Sequence, residues 1–301
     1  MSTIESLNAE FGIPGEIEFR ALARDYPVAE VGNRHANASI ALNGAQVLAY
    51  RPAGQEPLIW LSKESKLAPG KSARGGVPVC WPWFGPHASE ASFPAHGYAR
   101  ATPWRPVAVR SLPDGATELS FELEPQPGHQ ALWPYASTVR NRVTVGDTLR
   151  VELLTTNDGD LPFTLTQALH TYFQVGDIGA VSVHGLEGCD YLDKVGEGGR
   201  KHQHGPIDFP GEVNRIYLDT PPNSEIHDPS MTRRILITSE GSRSTVVWNP
   251  WQAFADKLGD MGPDGFRRMV CVETANAAED SVSLAPGEQY RLSAEYRIAP
   301  P

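Results

Sequence analysis

Residues Val139-Arg-Asn-Arg-Val-Thr-Val-Gly-Asp-Thr-Leu-Arg-Val-Glu-Leu-Leu-Thr155 read as two extended arms joined by Gly146-Asp147. Gly-Asp is turn chemistry, and the β-branched runs on either side suit strands, so the stretch predicts a hairpin. The same pattern recurs along the chain. Ser39–Leu42 and Ala45–Tyr50 flank Asn43-Gly44, the strongest short-range hairpin signal present. Thr117–Leu123 and Gln289–Ile298 alternate apolar and polar residues, as half-buried strands do. Arg234–Thr238 and Thr245–Trp248, either side of Gly241-Ser242, predict a third hairpin. Only residues 3–11 suggest a short helix, ended by Gly12 and Pro14, and Gly196–Gly211 predicts a loop. The fold class is therefore all-β, with packed antiparallel sheets, very little helix and a single domain over residues 1–301. Two tandem jelly rolls are the competing architecture, although nothing in the sequence marks their boundary.

Composition narrows the partners. The 301 residues are 40% apolar with 26 Pro and 28 Gly, enough for a large core interrupted by many turns. A net charge of −10 argues against a nucleic-acid or anionic-membrane surface, yet a few local Arg residues can still hold an anionic small molecule. Cys80, Cys189 and Cys271 are far apart and lack the C-x-x-C spacing of a structural zinc site. They read as free thiols of a reducing compartment. Met1–Ser6 shows no basic and apolar targeting pattern, and no apolar run approaches the roughly 18 residues of a membrane span. The expectation is a cytoplasmic protein.

Four segments carry less ordinary chemistry. Ala73–His87 places Arg74 before Gly75-Gly76 and ends in a Trp/Pro cluster. The two Gly residues allow a close backbone approach, while Trp81 and Trp83 form either a sugar-stacking wall or part of the core. Phe93–Arg100 sets His96 and Arg100 around a Gly turn. Gln167–Phe173 embeds His170 in an apolar, aromatic strand, where burial lowers its pKa and a carboxylate would raise it. Met269–Asn276 places Glu273 after a buried run, which is costly unless the carboxylate is paired or used.

Together, Arg74-Gly-Gly-Val-Pro, Trp81-Pro-Trp-Phe-Gly-Pro, His96-Gly-Tyr-Ala-Arg100, Leu132-Trp133-Pro134, His170-Thr-Tyr-Phe, Trp248-Asn-Pro-Trp251 and Val272-Glu273 resemble, in this order, the hexose-6-phosphate mutarotases of the aldose 1-epimerase superfamily. The resemblance implies a galactose-mutarotase-like β-supersandwich with a sugar pocket on the concave face of one sheet. It implies Glu273 as catalytic base, His170 as catalytic acid, Arg74 and Arg100 as substrate-binding arginines, and His96 in the same pocket. Asn214, able to hydrogen-bond a sugar hydroxyl, and Trp248 are expected as further substrate contacts. Two positions depart from the pattern: Ala95 stands where relatives often carry Gln, and Val213-Asn214 stands where relatives carry Thr-Asp.

Mutarotation opens a pyranose ring, rotates C1, and closes the ring on the other face. It needs a base for the O1 proton and an acid for the ring oxygen, but neither a metal nor a redox cofactor. Arg residues suit a 6-phosphate because the guanidinium fork matches its oxygens. The expected partner is thus a small hexose phosphate and the expected state a monomer. A glycoside hydrolase, which needs two carboxylates, and a non-catalytic sugar-binding module with Trp81, Trp83, Trp248 and Trp251 as a platform are the rival readings.

Overall fold

The turn-punctuated β-branched runs form antiparallel sheets in the computed structural model, which describes residues 3–301. Residues 1 and 2, part of the stretch read for a targeting signal, lie outside the described residues. Nine strands make the largest sheet, with Arg233–Glu240, Gln289–Ala299, Leu149–Asn157, Ser137–Val145 and Thr117–Leu123 adjacent in that order. The Val139–Thr155 stretch pairs as the expected hairpin, with Val145 opposite Leu149. Eight strands make a second sheet, whose centre runs Val213–Leu218, Ser244–Asn249, Met269–Asn276, Gln167–Leu169 and Val79–Cys80. Ala36–Ala41 and Gln46–Pro52, joined through Asn43-Gly44, belong to a four-stranded N-terminal sheet. The short helix Ile4–Phe11 forms as expected, capped by the Thr3 side chain. No helix among the described residues is long and apolar enough to cross a membrane.

Alternation assigns each face of the nine-stranded sheet. Val139, Val143, Val145, Leu149, Val151 and Leu153 are at most 2% exposed and face the core. On the other face Glu122 sits between Arg105 and Arg140, while Glu152 is bracketed by Arg142, Arg150 and Arg291. Pairs made by solvent-exposed arginines, as with Arg105 and Arg140, add at most about 1 kcal/mol each, so burial of the inner face dominates. Two hydroxyl contacts stitch the sheets together: Thr171 to Tyr296 at 2.6 Å and Ser239 to Thr274 at 2.7 Å. Replacing Thr171 by Val keeps its volume but strands the buried Tyr296 hydroxyl. We expect a loss of about 1–3 kcal/mol in urea unfolding, and an unchanged midpoint would show the bond to be immaterial.

Two sequence expectations are corrected. Arg233–Glu240 and Ser244–Asn249 are both strands, but they do not pair as a hairpin. The first joins the nine-stranded sheet and the second the eight-stranded sheet, with the Gly241–Arg243 turn crossing between them. Arg233–Glu240 has one apolar face and tolerates a solvated side, whereas every residue of Ser244–Asn249 is buried and needs cover on both faces. Within the expected loop Gly196–Gly211, Gly199–His202 pairs with Asp190–Asp193 as an edge hairpin. Cross-strand charge pairs, Lys201 to Asp193 at 2.6 Å and His202 to Asp190 at 2.9 Å, hold it without the β-branched residues that usually signal a strand.

Candidate active site

Strand register builds the site. Side chains of Met269–Asn276 alternate, so Val270, Val272 and Thr274 point between the sheets while Cys271 and Glu273 share the opposite face. Tyr172 and Trp248 pair with Cys271 from either side, and Asn214 pairs with Trp248 one strand further out. These four residues therefore stand on the same face. His170 is two residues before Tyr172 and stacks on it, with ring centres 5.0 Å apart. Its Nε2 lies 3.3 Å from Glu273 Oε1. Trp248 closes one side, its ring 6.0 Å from His170, and His96 lies 5.7 Å away on another.

Two orphan atoms mark the pair. Glu273 is 1% and His170 8% exposed, yet Glu273 Oε2 and His170 Nδ1 have no hydrogen-bond partner. An unpaired buried polar atom costs roughly 1–3 kcal/mol, so the arrangement is built for something other than stability. Burial disfavours charge on both groups: it pushes the Glu273 carboxyl well above its usual range, against the pull of Arg100. Burial also drives His170 well below 6.5, helped by His96, Arg100 and Arg74. Burial thus disfavours the charged form of each group, and the two side chains face one another across the 3.3 Å contact.

The cations converge next to this pair. A cavity of about 350 Å³ is lined by Lys71, Arg74, Arg100, Tyr98 and Tyr172, and no carboxylate lines it. The Glu273–His170 pair lies beside the cavity, behind Tyr172, rather than lining it. Arg74 is partly committed: its Nε donates to Asp260 at 2.9 Å and its Nη1 to the Tyr172 hydroxyl at 3.1 Å. Arg100 donates to the Ala95 carbonyl at 2.8 Å, which leaves most of its fork free. Burial, then Arg100 and Arg74, holds His96 down at about 3, so it stands as a neutral imidazole.

Glycines set the approach of these segments. At Gly76 a Cβ would lie 2.3 Å from the Val47 carbonyl oxygen, so the Gly-Gly pair brings backbone against the protein's own backbone. Gly97, at φ +70°, would place a Cβ 1.9 Å from the Trp81 carbonyl oxygen. His96 beside it also has positive φ (64°), held by its N–H to Gly85 at 2.7 Å. Gly97→Ala should therefore displace His96 and Arg100 together. We expect a lower thermal midpoint and weaker substrate binding in one variant; a parental melting curve would contradict the close approach.

The structure brings His170, Glu273, His96, Trp248, Arg74 and Arg100 together and sets Asn214 two strands away from Cys271. Trp81 and Trp83, 1% and 7% exposed, are core residues in an aromatic cluster with Tyr98, Trp133 and Phe93. With Trp251 packed on Phe266, the four tryptophans of the binding-module reading form no common platform. Sequence reasoning missed Tyr172, Lys71, Asp260 and Cys271. The alternation of His170 and Tyr172 would have indicated the first and proximity to Arg74 the second. Asp260, in a loop after the helix Trp251–Leu258, gives no local signal.

Similarity to known proteins places the fold in a family. The family described as Aldose 1-epimerase matches residues 27–297. An Escherichia coli (strain K12) protein, provisionally named glucose-6-phosphate 1-epimerase, is 40% identical over 250 residues, 83% of either chain. The crystal structure of a Salmonella typhimurium protein, provisionally titled a mutarotase, superposes with a TM-score of 0.90 at 35% identity, covering 97% of this chain and 96% of that one. A galactose mutarotase related enzyme from Lactobacillus acidophilus shares the fold at a TM-score of 0.70 and 13% identity, covering 90% and 97%. Fold and site thus define a β-sandwich epimerase. The chain belongs to the aldose 1-epimerase family.

Proposed function

We propose that this protein interconverts the α and β anomers of a hexose 6-phosphate, with glucose 6-phosphate the leading substrate. The observation that carries the reading is the buried Glu273–His170 pair, each member with an unpartnered polar atom, beside a cavity walled by cations. Glu273 takes the proton from the anomeric O1 hydroxyl while His170 protonates the ring oxygen as the C1–O5 bond breaks. Rotation about C1–C2 and closure reverse the roles. Arg100 and Arg74 bind the phosphate, with Lys71 at the cavity rim. Trp248 and neutral His96 flank the sugar ring, and Asn214 contacts a hydroxyl at the far side.

The names of the Escherichia coli and Salmonella typhimurium relatives support the substrate class and the reaction. A glycoside hydrolase would need a second carboxylate, and the partner of Glu273 is a histidine. We read the chain as a single domain over residues 1–301 that acts as a monomer. The three free cysteines and the net charge of −10 suit a cytoplasmic enzyme that binds no nucleic acid. The deciding experiment is NMR saturation transfer between the anomers of glucose 6-phosphate at equilibrium, with free glucose in parallel. Fast protein-dependent exchange of the ester with little for glucose is expected. Absence of exchange with every hexose and hexose phosphate would overturn the reading.

A further inference from the structure

We propose that His170, Cys271 and Glu273 form a three-ligand site for a thiophilic dication of the zinc or cadmium class, which competes with the sugar. Cys271 has no part in the ring-opening chemistry, yet register sets its side chain on the face of Glu273, opposite Tyr172 and Trp248. One ligand atom from each of the three residues, an imidazole nitrogen, the Sγ and a carboxylate oxygen, lies within 4.8 Å of the others, and all three residues are buried. Tetrahedral bonds of about 2.0–2.3 Å set ligand atoms roughly 3.3–3.7 Å apart. The 3.3 Å between His170 Nε2 and Glu273 Oε1 already matches such an edge, so closing the longest separation, at most 4.8 Å, to the sulfur edge needs a shift of about 1.3 Å.

The donor set has the right chemistry. Nitrogen, sulfur and oxygen donors with one open position are the pattern of three-ligand zinc sites, and the thiolate selects against magnesium and calcium. Glu273 Oε2, in a residue 1% exposed and without a hydrogen-bond partner among the described residues, belongs to the ligating carboxylate and is free to turn toward the ion, whereas His170 Nδ1 lies on the far side of the ring from Nε2 and stays outside the site. On binding, Cys271 loses its thiol proton and Glu273 its carboxyl proton, both to solvent. Metal–sulfur and metal–oxygen bonds form beside a dative bond from neutral His170, no oxidation state changes, and the dication is neutralised by two anionic ligands. Arg74 and Arg100 oppose the incoming cation, so the metal and the sugar phosphate draw on the same groups in opposite senses of charge.

The test is a cadmium(II) titration of the full chain, following the ultraviolet thiolate-to-cadmium charge-transfer band and, separately, anomer exchange. One equivalent should produce the band and suppress exchange, a chelator should reverse both, and added glucose 6-phosphate should raise the cadmium needed. Cys271→Ser should abolish this band and raise the half-saturating cadmium by more than about tenfold, the least that even an outer-shell partner contributes. Cys271→Ala, which avoids a buried hydroxyl, should do the same if the serine variant folds poorly, whereas Cys189→Ser should titrate like the parent. No band in the parent, or a titration in both Cys271 variants equal to the parent's, would overturn the site. The inhibition arm rests on the anomerase reading, but the band does not: a chain inactive on every sugar would still decide the metal site.

Discussion

Glu273→Gln should lower protein-dependent anomer exchange of glucose 6-phosphate by about 10²–10⁴-fold, the usual contribution of a positioned acid–base group. Gln occupies nearly the same volume on the strand Met269–Asn276 and keeps an oxygen within reach of His170, so the sheet should remain intact. What it cannot do is accept the O1 proton. The effect should fall on turnover rather than on substrate affinity, because the cationic cavity is untouched. Burial raises the carboxyl only while the site is dry, and Arg100 already favours its ionised form. His170→Gln should show a comparable loss, and the double variant little more than either alone, since the two residues act on the same ring-opening step. Near-parental exchange in Glu273→Gln, with a parental melting curve, would remove Glu273 from the mechanism.

Arg100→Gln should raise KM for the phosphate ester by about 10–100-fold while free-sugar turnover changes little. Hydrogen bonds to a charged group are worth about 1.5–3 kcal/mol each, and among the described residues the Arg100 fork has only the Ala95 carbonyl as a competing partner. Arg74→Gln should behave differently: it also unpairs Asp260 and the Tyr172 hydroxyl, so a lower thermal midpoint accompanies the loss of affinity. The comparison is made by measuring exchange against concentration for glucose 6-phosphate and glucose in each variant. Equal damage to both substrates by Arg100→Gln would mean that this arginine supports the fold rather than reading the phosphate.

Much of the fold was legible because its signals are short. The turns that hold Asn43-Gly44 and Gly146-Asp147 reverse the chain within four and three residues, 42–45 and 146–148, and the arms of each hairpin lie next to its turn. Gly241-Ser242 failed as a hairpin signal because the turn is equally compatible with crossing between sheets, and burial on both faces of Ser244–Asn249 decided the matter. The candidate site was legible as segments rather than as geometry. His170 and Glu273 stood out because polar groups in apolar runs demand a use, but their 3.3 Å contact spans 103 positions of sequence. Trp81 and Trp83 had two readings that composition could not separate, and packing against Tyr98 and Trp133 settled them as core.

The amino-acid sequence by itself determined that the chain is all-β, where most of its strands turn, and which short motifs bring titratable and cationic side chains into unusual surroundings. These properties depend on turn preferences, alternation and the cost of burying charge, all of which act within a few residues. Only the tertiary structure decided that Glu273 shares its face with Cys271, that Asp260 restrains Arg74 while Arg100 stays open, and that Lys71 joins the cationic wall. Cross-strand register sets those neighbours, and register follows from how the apolar faces of distant strands bury one another.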